Sequence, residues 1–199
     1  MAVNEKWNFN IVLFENFDTL DAFGPVEILA RHENHQMNFY SWTGGAITSV
    51  HGVSVNTLSM DKMSPGGVLL LPGGIGTRTL LGNEEFLSAL GAAAEKADYC
   101  LSVCTGSAVL AKAGILDGRV ATSNKLVFDW VTTNSDKVKW QRSARWTVDG
   151  KYYTASGVSA GMDMALGFLA DIYDLNVAEE IANYIEYIWN RDREQDPFA

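Results

Sequence analysis

Cys104 is the residue whose type and position point most directly to chemistry. It ends an apolar run, residues 99–103, and is followed at once by Thr105, Gly106 and further small residues. A cysteine between a buried strand and a helix lies over the unpaired amides of the first helical turn, which together with the helix dipole favour the thiolate. Since the thiolate is the nucleophilic form, the pattern predicts a catalytic cysteine. The alternative is that Cys104 is a small buried hydrophobe, the commoner fate of an unpaired cysteine.

The second cysteine, Cys100, does not extend this chemistry. It lies in the same predicted strand as Cys104. Extended chain rises about 3.3 Å per residue, which places the two sulfurs too far apart for an unstrained disulfide. Two thiols without a nearby histidine also make a poor zinc site, because zinc usually takes four nitrogen or sulfur ligands. We therefore expect both cysteines to be reduced, Cys100 to lie in the core, and no metal to be bound.

Asp21 is a candidate acid, placed shortly after the first predicted strand. If it were buried opposite a thiolate, both burial and like charge would raise its pKa. A carboxyl group that keeps its proton near neutral pH can act as a general acid. The alternative is a carboxylate that only complements the dipole of the helix it begins. Asp18 is a nearby rival, which we expect on a solvated turn.

The glycine pair Gly73-Gly74 follows another predicted buried strand. Without a Cβ, glycine lets the backbone come close to a ligand. Two backbone amides directed at one point would stabilise developing negative charge, typically by ~3 kcal/mol per donor. The alternative is that the two glycines simply end a strand.

Strand and helix patterns alternate along the chain, which predicts a parallel sheet covered by helices on both faces. In such sheets, sites form at the carboxyl ends of strands, so Gly73 and Cys104 should lie on the same edge. No linker or repeat interrupts the pattern, and we predict one domain over residues 1–199. The predicted strands are 9–14, 36–42, 47–55, 68–71, 99–103 and 119–123, with a hairpin of 144–148 and 152–155; the predicted helices are 20–31, 84–96, 105–113, 159–173 and 177–189.

Charge and hydropathy exclude several classes of protein. The formal net charge is -9 and no basic run occurs, which argues against binding to nucleic acid or to an anionic membrane. The apolar run at residues 66–71 is too short to span a bilayer. Residues 1–10 lack the apolar core of a secretory signal. We therefore expect a cytoplasmic protein.

Four short segments, in this order and spacing, resemble the ThiJ/PfpI superfamily, which has the class I glutamine-amidotransferase-like fold. Within it they look most like the isonitrile hydratase branch and the related amidotransferase-like domains of AraC-type regulators. The resemblance covers nearly the whole chain. The segments are LDAFGPVE at 20–27, LPGGIG at 71–76, SVCTGS at 102–107 and GVSAGMDMAL at 157–166.

The resemblance implies a flavodoxin-like three-layer sandwich with Cys104 as the nucleophile at a sharp elbow. Asp21 matches the acidic residue that faces this cysteine in isonitrile hydratases, and Thr105 matches the threonine that follows it. Gly74 matches a position whose amide lines an oxyanion-type pocket, with the Thr105 amide as the other donor. The resemblance also implies a small-molecule substrate, no cofactor, and a homodimer with the site near the interface.

Two departures from the family pattern narrow the chemistry. Protease-like and glyoxalase-like relatives carry a histidine where this chain has Thr105, and its three histidines, His32, His35 and His51, all lie in the first third. Without a histidine base, a Cys-His-Asp mechanism lacks its proton shuttle. Many hydratase-like and regulator relatives have a histidine where this chain has Asn124, which leaves the substrate open.

The expected activity is cofactor-free hydration of an isonitrile to an N-substituted formamide through a thioimidate on Cys104. Asp21 would deliver a proton to carbon and later position water, with Thr105 assisting. The alternatives are a redox or metabolite sensor based on the same cysteine, and an amidase-like or deglycase-like hydrolase. No helix-turn-helix pattern follows Phe198, so we expect no DNA-binding regulator. We expect Asp163 to be structural, binding amides of its own first helical turn.

Overall fold

The computed structural model describes residues 6–199. Residues 1–5 lie outside the described residues; they belong to the predicted domain and to the segment considered above for a secretory signal. The strands are β1 Trp7–Val12, β2 His35–Ser41, β3 Thr43–Thr48, β4 Ser54–Ser59, β5 Val68–Leu71, β6 Tyr99–Val103, β7 Val120–Ala121, β8 Lys139–Trp140, β9 Trp146–Asp149 and β10 Tyr152–Ala155. The α-helices are α1 Thr19–Leu29, α2 Thr77–Leu80, α3 Glu84–Lys96, α4 Gly106–Lys112, α5 Phe128–Thr132, α6 Ala160–Ile172 and α7 Leu175–Tyr184, and a 3-10 turn spans Met60–Lys62.

Eight strands form the central sheet in the order β3-β4-β2-β1-β5-β6-β10-β9. The six inner strands are parallel, and the two edge strands, β3 and β9, are antiparallel to their neighbours. β5 is apolar at all four positions and fully buried, as expected of a strand covered on both faces. Helices α1, α6 and α7 pack together, and α4 contacts α2, α3 and α5. The predicted α/β fold, a mostly parallel sheet with helices on both faces, is confirmed.

Two element boundaries predicted from the sequence are wrong. The single β segment at 47–55 is two strands, because the chain reverses between β3 and β4, where Gly52 has a left-handed φ of 81° and the Ser49 amide donates to the Val53 carbonyl. The final helix, predicted over 177–189, ends at Tyr184. Glu186 has a φ of 53°, which a helix cannot accommodate. The Trp189 indole then donates to the backbone of α6 at Asp163.

The register of β5 against β6 places the two motifs at one sheet edge. Leu71 pairs with Ser102, so the chain leaves β5 into Gly73 at the same level at which it leaves β6 into Cys104. β1 lies on the other side of β5 and leads into α1, which carries Asp21. The prediction that both motifs share the carboxyl edge is therefore confirmed. Within residues 6–199, every helix is too short or too polar to traverse a bilayer.

Gly106, the first residue of α4, permits the close approach of this helix to β5. A Cβ on Gly106 would lie 2.5 Å from the Leu71 carbonyl oxygen and 2.8 Å from that of Pro72. Both atoms belong to the backbone, so neither can move aside as the end of a flexible side chain could. Gly91, inside α3, is different, since its added Cβ would meet no atom within 4 Å.

We expect Gly106→Ala to lower the free energy of unfolding by about 1–3 kcal/mol, because the clash forces α4 away from β5. Gly91→Ala is the matched control and should raise it by roughly 0.5–1 kcal/mol, since alanine is the better helix former. Urea unfolding followed by circular dichroism measures both. Equal stability of the two variants would contradict the tight approach at Gly106.

Candidate active site

The backbone at Cys104 forms a strained elbow. Its φ of 57° is left-handed, which is uncommon for a residue with a side chain. Its amide donates to the carbonyls of Ala155, at 3.1 Å, and Ser156, at 2.8 Å. Its own carbonyl accepts from the hydroxyls of Ser107, at 3.0 Å, and Ser123, at 2.8 Å. These four hydrogen bonds hold the backbone in a conformation that few non-glycine residues adopt, a feature that clusters at functional sites.

The sulfur of Cys104 lies in a nearly closed environment, with 7% of the residue exposed. Burial, followed by the negative charge of Asp21, raises the pKa of the Cys104 thiol. The Thr105 amide and the Asn124 side chain, whose Nδ2 lies 3.2 Å from Sγ, lower that pKa by donating to the sulfur. The raising effects are the larger. This corrects the expectation that the helix N-terminus lowers the pKa of this thiol.

Asp21 is completely buried beside Cys104. Its Oδ2 accepts the Gly73 amide at 3.0 Å, while its Oδ1 has no hydrogen-bond partner among residues 6–199. Burial and then the charge of Asp18 raise the pKa of Asp21 from 3.8 to about 7. The sequence predicts a raised pKa of Asp21 from burial and from the charge of a facing thiolate. The like charge comes instead from Asp18, the other candidate for the acidic residue.

The glycine pair and Thr105 are brought together, but with different partners from those expected. The Gly74 amide donates to the Thr105 hydroxyl at 3.0 Å, and the Gly73 amide is taken by Asp21. The Thr105 hydroxyl also contacts Thr77 Oγ1 at 3.2 Å. Gly74 therefore offers no free donor to an oxyanion-type pocket in this structure, and the donors that reach the sulfur are the Thr105 amide and Asn124.

Gly73 lies where Asp21 and the elbow converge. A Cβ at this position would be 2.6 Å from the Thr105 backbone nitrogen, 2.7 Å from Thr105 Oγ1 and 2.8 Å from Asp21 Oδ2. Any larger residue would separate the carboxyl group from the elbow. The requirement for glycine is therefore the packing of the site itself, and not only the ending of β5.

Asn124 is the functional contact that sequence reasoning missed, since it was considered only as a departure from the family pattern. Gly157 makes room for it, because a Cβ there would lie 2.7 Å from Asn124 Nδ2. Gly157, the first residue of the fourth motif, could have pointed to this contact. Its role is visible only once the fold brings it against the loop that carries Asn124. Within residues 6–199, no histidine forms a hydrogen bond with Asp21 or Cys104.

Asp163 also differs from the expectation, although it is structural. Its Oδ2 accepts from Arg145 Nε at 2.6 Å, and its Oδ1 accepts from the Tyr187 hydroxyl and the Asn190 amide. Burial raises the pKa of Asp163. It thus fastens the chain after α7 to the core instead of binding amides of its own helix. No group of three or more histidine, cysteine or acidic side chains within residues 6–199 has the arrangement of a metal site.

Comparison with known proteins identifies the family to which the chain belongs. The sequence model of the DJ-1/PfpI family matches residues 9–171. The chain belongs to this family. The ThiJ/PfpI resemblance stated from the four motifs is therefore confirmed. The match ends within α6, so α7 and the segment after it lie beyond the residues that the family model matches.

Individual DJ-1/PfpI relatives differ in activity. The isonitrile hydratase of Pseudomonas putida is 30% identical over 177 residues, which cover 88% of this chain and 76% of that protein. A deglycase of Pyrococcus horikoshii is 31% identical over 147 residues, 70% of this chain and 87% of that protein. The crystal structure of a ThiJ/PfpI family protein from Pseudomonas syringae superposes with a TM-score of 0.82 at 24% identity, covering 94% of this chain and 77% of that one.

Asp21→Asn tests the cost of burying a carboxylate here. The pKa of Asp21 is raised to about 7, so the folded state favours the protonated carboxyl group. The stability that this group contributes is fully present below pH 4 and is lost as the pH rises through 7. One pKa unit corresponds to about 1.4 kcal/mol, so the ionised group costs on the order of 4 kcal/mol at pH 8. We expect the stability of the wild type to fall relative to Asp21→Asn between pH 4 and pH 8.

Denaturant unfolding at several pH values measures this difference. The control is Asp61→Asn, which changes an exposed carboxylate on the turn after β4 and should show no such trend. A constant difference between wild type and Asp21→Asn across this range would show that Asp21 titrates like a solvated carboxyl group.

Proposed function

We propose that this protein is a cysteine-dependent isonitrile hydratase, which converts an isonitrile and water into an N-substituted formamide. The observation that carries the proposal is the buried Asp21–Cys104 pair, which needs no histidine to move a proton. The similarity to the hydratase of Pseudomonas putida supports the same reaction class. Membership in the family supports an enzyme. The homodimer and the cytoplasmic location stay predictions.

In the first half of the reaction, the Asp21 carboxylate takes the proton from the Cys104 thiol. The sulfur attacks the terminal carbon of the isonitrile and forms the C–S bond. The carbon, which now carries an electron pair, takes the same proton from Asp21. The product is a thioimidate, with sulfur, hydrogen and the C=N double bond on one carbon. Asp21 ends this half as a carboxylate again.

In the second half, Asp21 accepts a proton from water as the oxygen attacks the thioimidate carbon. The nitrogen takes that proton, which gives a tetrahedral intermediate with hydroxyl, sulfur and NH groups on one carbon. The intermediate collapses to the formamide: the C–S bond breaks, the hydroxyl proton passes through Asp21, and Cys104 regains its thiol. One water molecule is consumed and the enzyme returns to its starting protonation state.

The remaining residues of the site orient and stabilise this pair. The Thr105 amide and Asn124 donate to the sulfur and so favour the thiolate at the moment of attack. The Thr105 hydroxyl is already held by the Gly74 amide at 3.0 Å, so its role is to fix the elbow against the loop after β5. Gly73 donates to Asp21 and stabilises its charged form.

Cys104→Ala should abolish formamide formation from cyclohexyl isonitrile, because no covalent intermediate can form. Asp21→Asn should lower kcat by at least about 100-fold, since the proton carrier is lost. Cys100→Ala is the matched control, a buried cysteine within β6, the strand that leads into Cys104, and it should leave kcat unchanged. Formamide is quantified by chromatography. A wild-type protein without activity on alkyl and aryl isonitriles, or an active Cys104→Ala variant, would overturn the proposal.

The pH profile should report the protonation of Asp21. Only the carboxylate can take the thiol proton, and the pKa of Asp21 is raised to about 7. We expect kcat/KM to rise roughly tenfold per pH unit below pH 7 and to level above it. Asp18→Asn removes the charge that helps to raise this pKa while keeping a side chain that caps α1, so the midpoint should move to lower pH. A profile flat from pH 5 to pH 8 would contradict the assignment.

A cysteine hydrolase of the deglycase type is the second candidate, favoured by the similarity to the deglycase of Pyrococcus horikoshii. It would use the same sulfur on a carbonyl-derived adduct. Release of free amine from a methylglyoxal-treated peptide, with no formamide from isonitriles, would select it. The redox-sensor hypothesis has less support, because a 7% exposed thiol with a raised pKa forms little of the thiolate that oxidants attack.

A further inference from the structure

A cavity of about 310 Å³ adjoins the site on the side of Asn124. It is lined by the loop 124–126, the turn 157–159 and Phe198, and it opens to solvent. Asn124 belongs both to this cavity and to the site, since its Nδ2 lies 3.2 Å from Cys104 Sγ. Gly157 follows Ser156, whose carbonyl accepts the Cys104 amide. The cavity therefore begins one side chain away from the reacting sulfur.

The mouth of this cavity carries two large apolar side chains that are open to solvent. Leu126 is 92% exposed and Phe198 is 73% exposed. Exposed apolar groups beside a cavity gain stability when a ligand removes them from water. The one charged residue in the lining, Lys125, turns its ammonium inward to Thr122 Oγ1 and the Ala144 carbonyl. The cavity thus suits an uncharged, apolar group.

The position of Phe198 is fixed by a buried ion cluster. Asp196 Oδ1 lies 3.6 Å from an Arg145 nitrogen, and Asp196 Oδ2 lies 4.0 Å from Lys125 Nζ. The Asp196 amide donates to the Ser143 carbonyl at 2.6 Å, and Asp196 Oδ1 accepts the amide of Phe198 at 3.0 Å. One carboxylate therefore holds both the loop that carries Asn124 and the backbone that carries Phe198.

We propose that this cavity receives the apolar side group of the substrate and that Phe198, in the C-terminal segment 191–199, forms its outer wall. This rests on the proposed function and names its substrate class: isonitriles with a ring-sized aromatic or alicyclic group. The segment lies outside residues 9–171, the region that the family's sequence model matches. Phe198 is then a specificity-determining residue, and Asp196 positions it.

Phe198→Ala tests the wall directly. We expect kcat/KM for cyclohexyl and benzyl isonitriles to fall about tenfold through KM, with kcat retained, and kcat/KM for methyl isonitrile to stay unchanged. Phe198→Tyr should keep the preference for large groups. Ile188→Ala is the matched control. Ile188 also follows α7 and is 93% exposed, but it does not line this cavity. Asp196→Ala should reproduce the loss of preference.

A second readout does not depend on hydratase activity. In a Cys100→Ala background, Cys104 is alkylated with iodoacetamide and with N-benzyl iodoacetamide, and the ratio of the two rate constants measures binding of the benzyl group. Phe198→Ala should lower that ratio about tenfold. If the wild type forms no formamide but the ratio falls, the proposed reaction fails and the pocket stands. An unchanged ratio overturns the pocket. So does a Phe198→Ala variant that differs from the wild type only in forming a smaller oligomer, as measured by light scattering.

Discussion

The proton shared between Asp21 and Cys104 is the constraint on which the rest of the site depends. Asp21 is completely buried and Cys104 nearly so. Such surroundings do not permit two adjacent negative charges, so near neutral pH the pair keeps at least one proton. The groups that touch the pair are donors, the Gly73 amide on Asp21 and the Asn124 side chain on Cys104. They lower the cost of whichever partner carries the charge, as the proposed transfer of a proton between oxygen, sulfur and a bound carbon requires.

This pairing needs a parallel sheet with tightly packed connections. β5 lies between β1 and β6, so the three strands deliver Asp21, Gly73 and Cys104 to one edge. The left-handed backbone at Cys104 costs roughly 1–3 kcal/mol. Hydrogen bonds to its amide and its carbonyl, two at each group, offset that cost. The elbow is consequently held by residues from the second half of the chain, which fix the backbone at Cys104.

Sequence reasoning succeeded where the determinant is local. The alternation of strands and helices, and the position of Cys104 between β6 and α4, follow from residues next to one another. It failed where the determinant is a long-range contact. The Gly74 amide goes to the hydroxyl of Thr105, 31 residues away, and Asn124 reaches Cys104 across 20 residues. The break between β3 and β4 was missed because the turn uses Gly52, while the adjacent glycines Gly44 and Gly45, which are typical of a turn, lie inside β3.

The C-terminal segment is held in place by a buried ion cluster. Replacing a buried ion cluster with apolar side chains is often neutral or stabilising, so stability alone does not explain Arg145, Asp163 and Asp196. The charges provide contacts that form in only one position of the segment. The guanidinium of Arg145 reaches both carboxylates in one position of the segment, where the Arg145 and Trp146 amides also donate to the Arg193 carbonyl. The Asp196 amide, which donates to the Ser143 carbonyl at 2.6 Å, fixes the same register. Ionic and backbone contacts together therefore hold Phe198 in place. Because Asp196 Oδ2 also lies 4.0 Å from Lys125, next to Asn124, the C-terminal segment is linked to the Cys104 site through this loop.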